Sequence, residues 1–353
     1  MGLVSARDRA NPGGAPARRR GRRAAGVTAA VTGLVLVAGC HVLGTSSAAA
    51  PTGSGTVTVA AAPGVADAAL YIGIKDGLFQ QAGLHVRVLP GSGTSVSSEV
   101  SQLQGGQADI AFGDYADMFY AQQRKSSAGL KIVANGYDAA PSVMEVLTLP
   151  NSPITAPSDL AGKVIGTAEP QEMPPSEQKP YSLDTVATWS VLSSDNVDPT
   201  SITWRPMPAS NLISALKNGS VDAILATEPT IYQAESQLGA VPVLDSCTGA
   251  TANLPLAGYF TDATYAKKNA TNLAAFRAAL LKAQADAGNA TPVQGALMHY
   301  AGMNVQTASL VTLGTYPTAL QEPDLQEVAN LMFNFNAVPP GAGTLNVSSV
   351  IAR

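Results

Sequence analysis

The strongest constraint on this chain is a phrase it uses twice. "LQGGQADIA", starting at Leu103, and "LKNGSVDAI", starting at Leu216, share Leu, Gly, Asp and a following apolar run at identical spacing. Each reads as the end of a helix, a glycine C-cap, a turn and a buried strand. Around both copies strand-like and helix-like segments alternate, the pattern of a parallel sheet with crossover helices. Two α/β lobes of related construction follow, and 353 residues accommodate both at roughly 150 residues per domain.

In the first lobe "TVTVAA" from Thr56 is a strand, "DAALYIGIKDGLF" from Asp67 a single helix with Leu70, Ile74 and Leu78 along one stripe, and "LHVRVL" a second strand. "SVSSEVSQLQ" carries Val96, Val100 and Leu103 at helical spacing before the strand "ADIAF". The second lobe starts at Val146, with the strands "KVIGTA", "SITWRPM" and "VDAILA" and helices around residues 183–192 and at "SNLISALKN". Residues 270–287, 292–300 and 323–335 read as successive helices. Returning the chain to the first lobe at Gly258 assigns residues 56–145 and 258–353 to lobe 1 and 146–257 to lobe 2. The two crossings form a hinge.

Residues 1–39 stand outside that fold. Arg18, Arg19, Arg20, Arg22 and Arg23 make a basic n-region, residues 24–37 an apolar h-region, and "VAGC" sets small residues before Cys40. This is the layout of an export signal, too short for the roughly 20 apolar residues of a membrane-spanning helix. The Gly39-Cys40 junction resembles the lipobox of bacterial lipoproteins, which implies an acylated thiol after cleavage; an ordinary secretory signal with an incidental cysteine is the alternative. No Ser/Thr-Arg-Arg-x-Phe pattern surrounds the arginines, and the choice between general secretory and twin-arginine export stays open. Residues 40–55, rich in Ser, Ala, Gly and Pro, read as a flexible tether.

The signal holds seven of the 21 basic residues and one of the 25 acidic ones, so the remainder carries 14 basic against 24 acidic side chains, a formal charge of −10. That balance argues against nucleic acid as a partner, because affinity for phosphate backbones depends on Lys and Arg. Cys247 is then the only other cysteine. It has no partner for an intrachain disulfide and is expected to be buried and inert.

Ligands of open parallel sheets bind beyond the carboxyl ends of the strands. This rule nominates Pro63 and Asp67 after the first strand, Gly91, Ser92, Gly93 and Thr94 after the second, and Asp114 and Tyr115 after the third. In lobe 2 it nominates Glu169, Arg205 and Glu228. Gly91-x-Gly93 lacks the third glycine of a dinucleotide fingerprint, since Val96 occupies its place, and no P-loop is present. No G-x-S-x-G elbow, H-E-x-x-H pair or cysteine cluster appears, and His41, His85 and His299 fall in a tether, at a strand start and in a late helix. The residues point to binding, with no catalytic group, cofactor or metal.

Five stretches in order, "YIGIKDGLFQQAGLHVRVLPGSG", "LQGGQADIAFGD", "DLAGKVIGTAEP", "ALKNGSVDAILATEP" and "ATYAKKNATNLAAFRAAL", resemble the substrate-binding proteins of ABC importers in the nitrate, sulfonate, taurine and thiamine-pyrimidine superfamily. The likeness runs over residues 56–290. It implies a two-lobed periplasmic-binding-protein (Venus-flytrap) fold, each lobe a mostly parallel sheet flanked by helices. It also implies a monomer lipid-anchored on the outer face of the membrane that captures a small solute between its lobes and presents it to an ABC permease. Two alternatives share the fold: a cytosolic-type enzyme of thiamine-pyrimidine or menaquinone-precursor synthesis, and a sensory binding protein feeding a membrane receptor. The iron-binding cysteine motif of the pyrimidine synthases is absent.

The ligand stays open at this point. Asp67, Asp114, Glu169 and Glu228 at strand ends suit an amine or amino-heterocycle, whereas Arg205, if it points inward, is a bidentate anion clamp. Asp67 has the alternative role of capping its helix. Tyr115, Tyr181, Trp189, Trp204 and Tyr259 are candidates for a stacking wall; Tyr115 is assigned to the pocket and Trp189 to the core. The insertion "QEMPPSEQKPYS", residues 171–182, is either a pocket wall or a surface loop.

Overall fold

The computed structural model describes residues 51–90, 96–124, 129–168 and 182–352, within a compact unit spanning Ala49–Arg353. Its strands are β1 (Thr56–Ala61), β2 (His85–Pro90), β3 (Ile110–Asp114), β4 (Leu130–Asp138), β5 (Met144–Thr148), β6 (Val164–Ala168), β7 (Thr203–Met207), β8 (Ala223–Thr227), β9 (Val241–Asp245) and β10 (Pro255–Asp262). The helices are α1 (Ala68–Lys75), α2 (Leu78–Gln81), α3 (Val96–Gln104), α4 (Tyr115–Gln123), α5 (Leu183–Ser194), α6 (Ala209–Lys217) and α7 (Thr230–Leu238), followed by α8 (Ala263–Lys268), α9 (Ala270–Ala287), α10 (Ala290–Tyr300), α11 (Val305–Leu310) and α12 (Glu322–Asn334).

The strands form two five-stranded sheets of the same design, ordered β2-β1-β3-β10-β4 and β7-β6-β8-β5-β9. In the first, β2, β1 and β3 pair in parallel and β10 pairs antiparallel with both β3 and β4. The second repeats the pattern with β7, β6 and β8 parallel and β5 antiparallel to β8 and β9. Each sheet is therefore mixed, with four strands in one direction and one reversed. The reversed strand is in each case the first one laid down after the chain crosses over.

The repeated phrase has the same bonds in both copies. The turn N–H groups of Gln107 and Ala108 return to the carbonyl of Gln102, and those of Ser220 and Val221 to that of Ala215, with Gly106 and Gly219 at φ +66° and +72°, a conformation that favours glycine. Asp109 then accepts the Thr58 N–H at 2.8 Å, and Asp222 accepts the Val164 N–H at 2.8 Å. Their carbonyls take the hydroxyls of Thr261 and Thr148 from the reversed strands, at 2.6 and 3.1 Å. The repeat fixes where one strand starts beside its neighbour; it is a register device.

Burial on both faces accounts for the continuously apolar strands. Along β8, Ala223 and Leu225 join the main core that runs through both lobes, while Ile224 and Ala226 face a smaller cluster with Leu212 and Leu216 of α6. One difference from the sequence reading lies at the first helix. It breaks at Asp76–Gly77, where Gly77 is left-handed at φ +69°, so Leu78 opens α2 rather than continuing the stripe.

Candidate functional site

The two sheets are joined by residues 139–143 and 246–254, and these crossings are bonded to each other. Ala139 N–H donates to the Leu254 carbonyl at 2.8 Å and Ser246 N–H to that of Met144 at 2.9 Å. Asp245, the last residue of β9, accepts the Ser142 N–H from one crossing at 3.0 Å and the Cys247 N–H from the other at 2.8 Å. A third link comes from the segment before α12. Thr315 pairs with Asp138 at the end of β4, Gly314 N–H donates to the Tyr137 hydroxyl at 2.5 Å, and Thr312 N–H donates to Glu228 Oε1 at 2.9 Å. Glu228 follows β8, so that bond ties the second sheet to a segment anchored on the first.

Four carboxylates stand at carboxyl ends of co-directional strands near this junction, Asp114, Asp138 and Asp245 closing β3, β4 and β9 and Glu228 directly after β8. Asp114 caps α4, with its Oδ1 accepting Ala116 N–H at 2.6 Å and Asp117 N–H at 3.3 Å. Burial raises its pKa, helped by the charges of Asp117 and of Asp184 across the junction. Asp184, in the first turn of α5, is itself pushed up to about 6 by burial. Burial also lifts Asp138 to about 6, against the bond donated by Asn135 at 2.7 Å. Glu228 is raised by burial although Thr312 and Tyr232 donate to it.

Basic side chains lie elsewhere among the described residues. Lys131 and Lys163 stand at the amino ends of β4 and β6, and Lys75 and Lys217 at the carboxyl ends of α1 and α6. Arg277 donates to the Val133 carbonyl at 2.6 Å. A pocket of about 420 Å³ between Thr148, Ser152, Leu216 and Asp222 opens at the amino ends of β6 and β8, away from the acidic face.

The predicted residues separate into groups. Gly91, Ser92, Gly93, Thr94, Glu169, Tyr181, nearly all of the 171–182 insertion and Cys40 lie outside the described residues. Pro63 is exposed in the loop after β1. Asp67 is buried but makes no cap bond to its helix; its Oδ1 turns back to the Gly64 N–H at 2.8 Å.

Three assignments are corrected. Arg205 is exposed on the edge strand β7 and donates to the Ser220 carbonyl, a turn that leads into the amino end of β8, so it is no inward anion clamp. Tyr115 is fully buried, its ring against Phe119 of α4 and Phe260 of β10 at 5.5 and 5.3 Å and its hydroxyl donating to Asn135 at 3.1 Å; it is core, because these contacts fill the space between α4 and the sheet. Glu228 uses both oxygens on backbone N–H groups and acts as a clasp between sheets rather than a free ligand acceptor. Among the other aromatics, Tyr259 packs on Phe112 and Phe276, and Trp204 on Trp189, with the Trp204 ring N–H donating to the Pro199 carbonyl.

Sequence reasoning missed Tyr137, Asp138, Asp184, Asp245 and residues 312–316. The strand "LKIVANGYD" ending at Asp138 and the "SLD" opening of α5 were available as signals. Nothing local marks residues 312–316, whose role is set by contacts far away in the chain.

The Cys247 thiol, buried in a crossing, is pushed well up by burial and by Asp245 and Asp184, which disfavours the thiolate a nucleophile needs.

The NMT1/THI5-like family model matches residues 66–294. No curated protein matches the sequence significantly. Among solved structures, the periplasmic aliphatic sulphonate binding protein SsuA of Escherichia coli superposes with a TM-score of 0.65 at 17% identity, over 84% of this chain and 92% of that one. The alkanesulfonate-binding protein SsuA of Xanthomonas axonopodis pv. citri, bound to MOPS, gives 0.62 at 16%, over 85% and 99%. The desulfurization enzyme DSZB gives 0.63 at 16%, over 84% and 96%. The fold is thus that of two-lobed periplasmic binding proteins, and one enzyme shares it.

Proposed function

Because the chain belongs to the NMT1/THI5-like family and has the two-lobed fold of periplasmic binding proteins, we propose that it is the extracytoplasmic solute-binding lipoprotein of an ABC importer. Residues 1–39 are its signal, Cys40 its lipid attachment and residues 40–55 its tether. Lobes 56–145/258–353 and 146–257 open and close about the crossings, and the closed form is what a membrane permease receives. A solute that touches both lobes favours closure by its differential affinity for the two states.

The observation that carries this reading is the paired crossing clasped by Asp245, a narrow joint at which two sheets present their carboxyl ends to one another. Thermal unfolding of residues 49–353 against sulfonates, nitrate, aminopyrimidines and small amines tests the role. A solute at 100 times its Kd adds about 2.7 kcal/mol; turnover of a panel member in place of a stable complex contradicts the reading. A Cys40→Ala variant is released from membranes, and one that stays bound as firmly as the parent contradicts the anchor.

A further inference from the structure

The second copy of the repeated phrase also builds a cavity. Leu216, Gly219, Val221 and Asp222 all line the pocket of about 420 Å³ at the amino ends of β6 and β8, together with residues that follow β5 and with Leu238 at the end of α7. The first copy carries Leu103, Gly106, Ala108 and Asp109 at the same places. In each lobe a threonine hydroxyl of the reversed strand donates to the carbonyl of the phrase's aspartate, Thr261 to Asp109 at 2.6 Å and Thr148 to Asp222 at 3.1 Å. The two lobes can therefore be compared residue by residue beyond that threonine.

They part within four residues. After Thr261 the chain enters α8, whose cap Asp262 accepts the Thr264 and Tyr265 N–H groups at 2.7 and 3.3 Å. Tyr265, four residues past the threonine, lies half-buried against the main core, and burial together with the charge of Asp109 raises its phenol to about 12. After Thr148 the chain makes a turn instead, with the Ser152 N–H returning to the Leu149 carbonyl at 2.9 Å, and the fourth residue is Ser152. A serine is too short to do what Tyr265 does, and the space beside Asp222 is the pocket.

The walls of that space suit the same kind of group. Leu149, Leu216, Val221 and Leu238 make it apolar, and its volume falls within the roughly 300–1,000 Å³ of small-molecule sites, which pair apolar walls with a few placed polar groups. Asp222 is exposed. Its Oδ2 accepts the Val164 N–H at 2.8 Å, and its Oδ1 has no donor among the described residues.

We propose that this pocket is a binding site separate from the cleft, taking a small aromatic molecule that carries a hydroxyl or amino donor. The ring occupies the apolar walls and the donor bonds Asp222. The site lies away from the acidic face and is independent of the solute-binding reading.

Methyl NMR of the full chain tests it, with p-cresol, the tyrosine side chain as a free molecule, and toluene, the analogue without the hydroxyl. p-Cresol shifts the methyl signals of Leu149, Leu216, Val221 and Leu238 saturably. It binds about tenfold more tightly than toluene, the margin of one hydrogen bond to a carboxylate. Ser152→Tyr supplies the ring that the first lobe has, fills the pocket and abolishes the shifts. Asp222→Asn, which keeps an acceptor for the Val164 N–H, narrows the margin over toluene. In the parent chain, the lack of any saturable shift, or toluene binding as tightly as p-cresol, overturns the proposal; so does a Ser152→Tyr variant that binds p-cresol like the parent. Shifts produced by N-acetyl-tyrosinamide where p-cresol gives none overturn it in favour of a peptide partner.

Discussion

Replacing Glu228 with Ala removes the acceptor of two backbone N–H groups, Tyr232 at 3.1 Å within the second sheet's lobe and Thr312 at 2.9 Å on the segment anchored to the first. A hydrogen bond to a charged group contributes about 1.5–3 kcal/mol, and partial burial favours the lower end. Only the Thr312 bond spans the lobes, so an arrangement that makes it loses about 1.5 kcal/mol, roughly a factor of ten, against one that does not. Affinity for a solute that selects the arrangement with this bond falls by up to that factor. Calorimetric titration of the best panel solute, with the radius of gyration from small-angle scattering alongside, reads both quantities. Glu228→Gln retains one acceptor oxygen and is expected to lie between parent and Glu228→Ala. Unchanged affinity and unchanged radius in Glu228→Ala would refute the clasp.

Three further outcomes follow from the same contacts. Asp138 and Asp184 stand at about 6 in the folded chain, above the unfolded value of about 3.9; the folded state therefore binds more protons through that window and loses stability as pH rises from 4 to 6, so Tm is higher at pH 5 than at pH 7.5, and a steady rise across this interval contradicts the assignment. The Cys247 thiol, buried and held protonated, reacts with a thiol reagent only after denaturant is added; stoichiometric labelling of the native 49–353 body contradicts its placement. Asp109→Ala strips the Thr58 N–H of its acceptor and costs about 1 kcal/mol, with Asp222→Ala acting in the same way at Val164; a variant that loses solute binding without losing stability would make the repeat a ligand element instead.

Much of the fold was legible because it is local. The helix, glycine turn, Asp and strand of the repeated phrase are encoded in consecutive residues, and both copies fold as read. Strand direction was not, because β5 and β10 run against their neighbours only on account of where the chain re-enters each sheet, which no short window records. The site was read less well for a related reason. Asp114 and Glu228 stand at strand ends, yet Tyr115 and Glu228 look available in sequence and are engaged in space, by Asn135 and by Thr312 and Tyr232. Arg205 alternates onto an exposed edge, and a single residue of register decides which face such a side chain takes.

The central claim, capture by closure of two lobes, is tested most directly by a distance between them. Spin labels at Gln104→Cys on α3 and Lys217→Cys on α6, both exposed, report it in the 49–353 body, where the native Cys247 is buried. Saturating solute shortens and narrows the distance distribution if the lobes close on it. A distribution that a bound solute leaves unchanged would contradict the account.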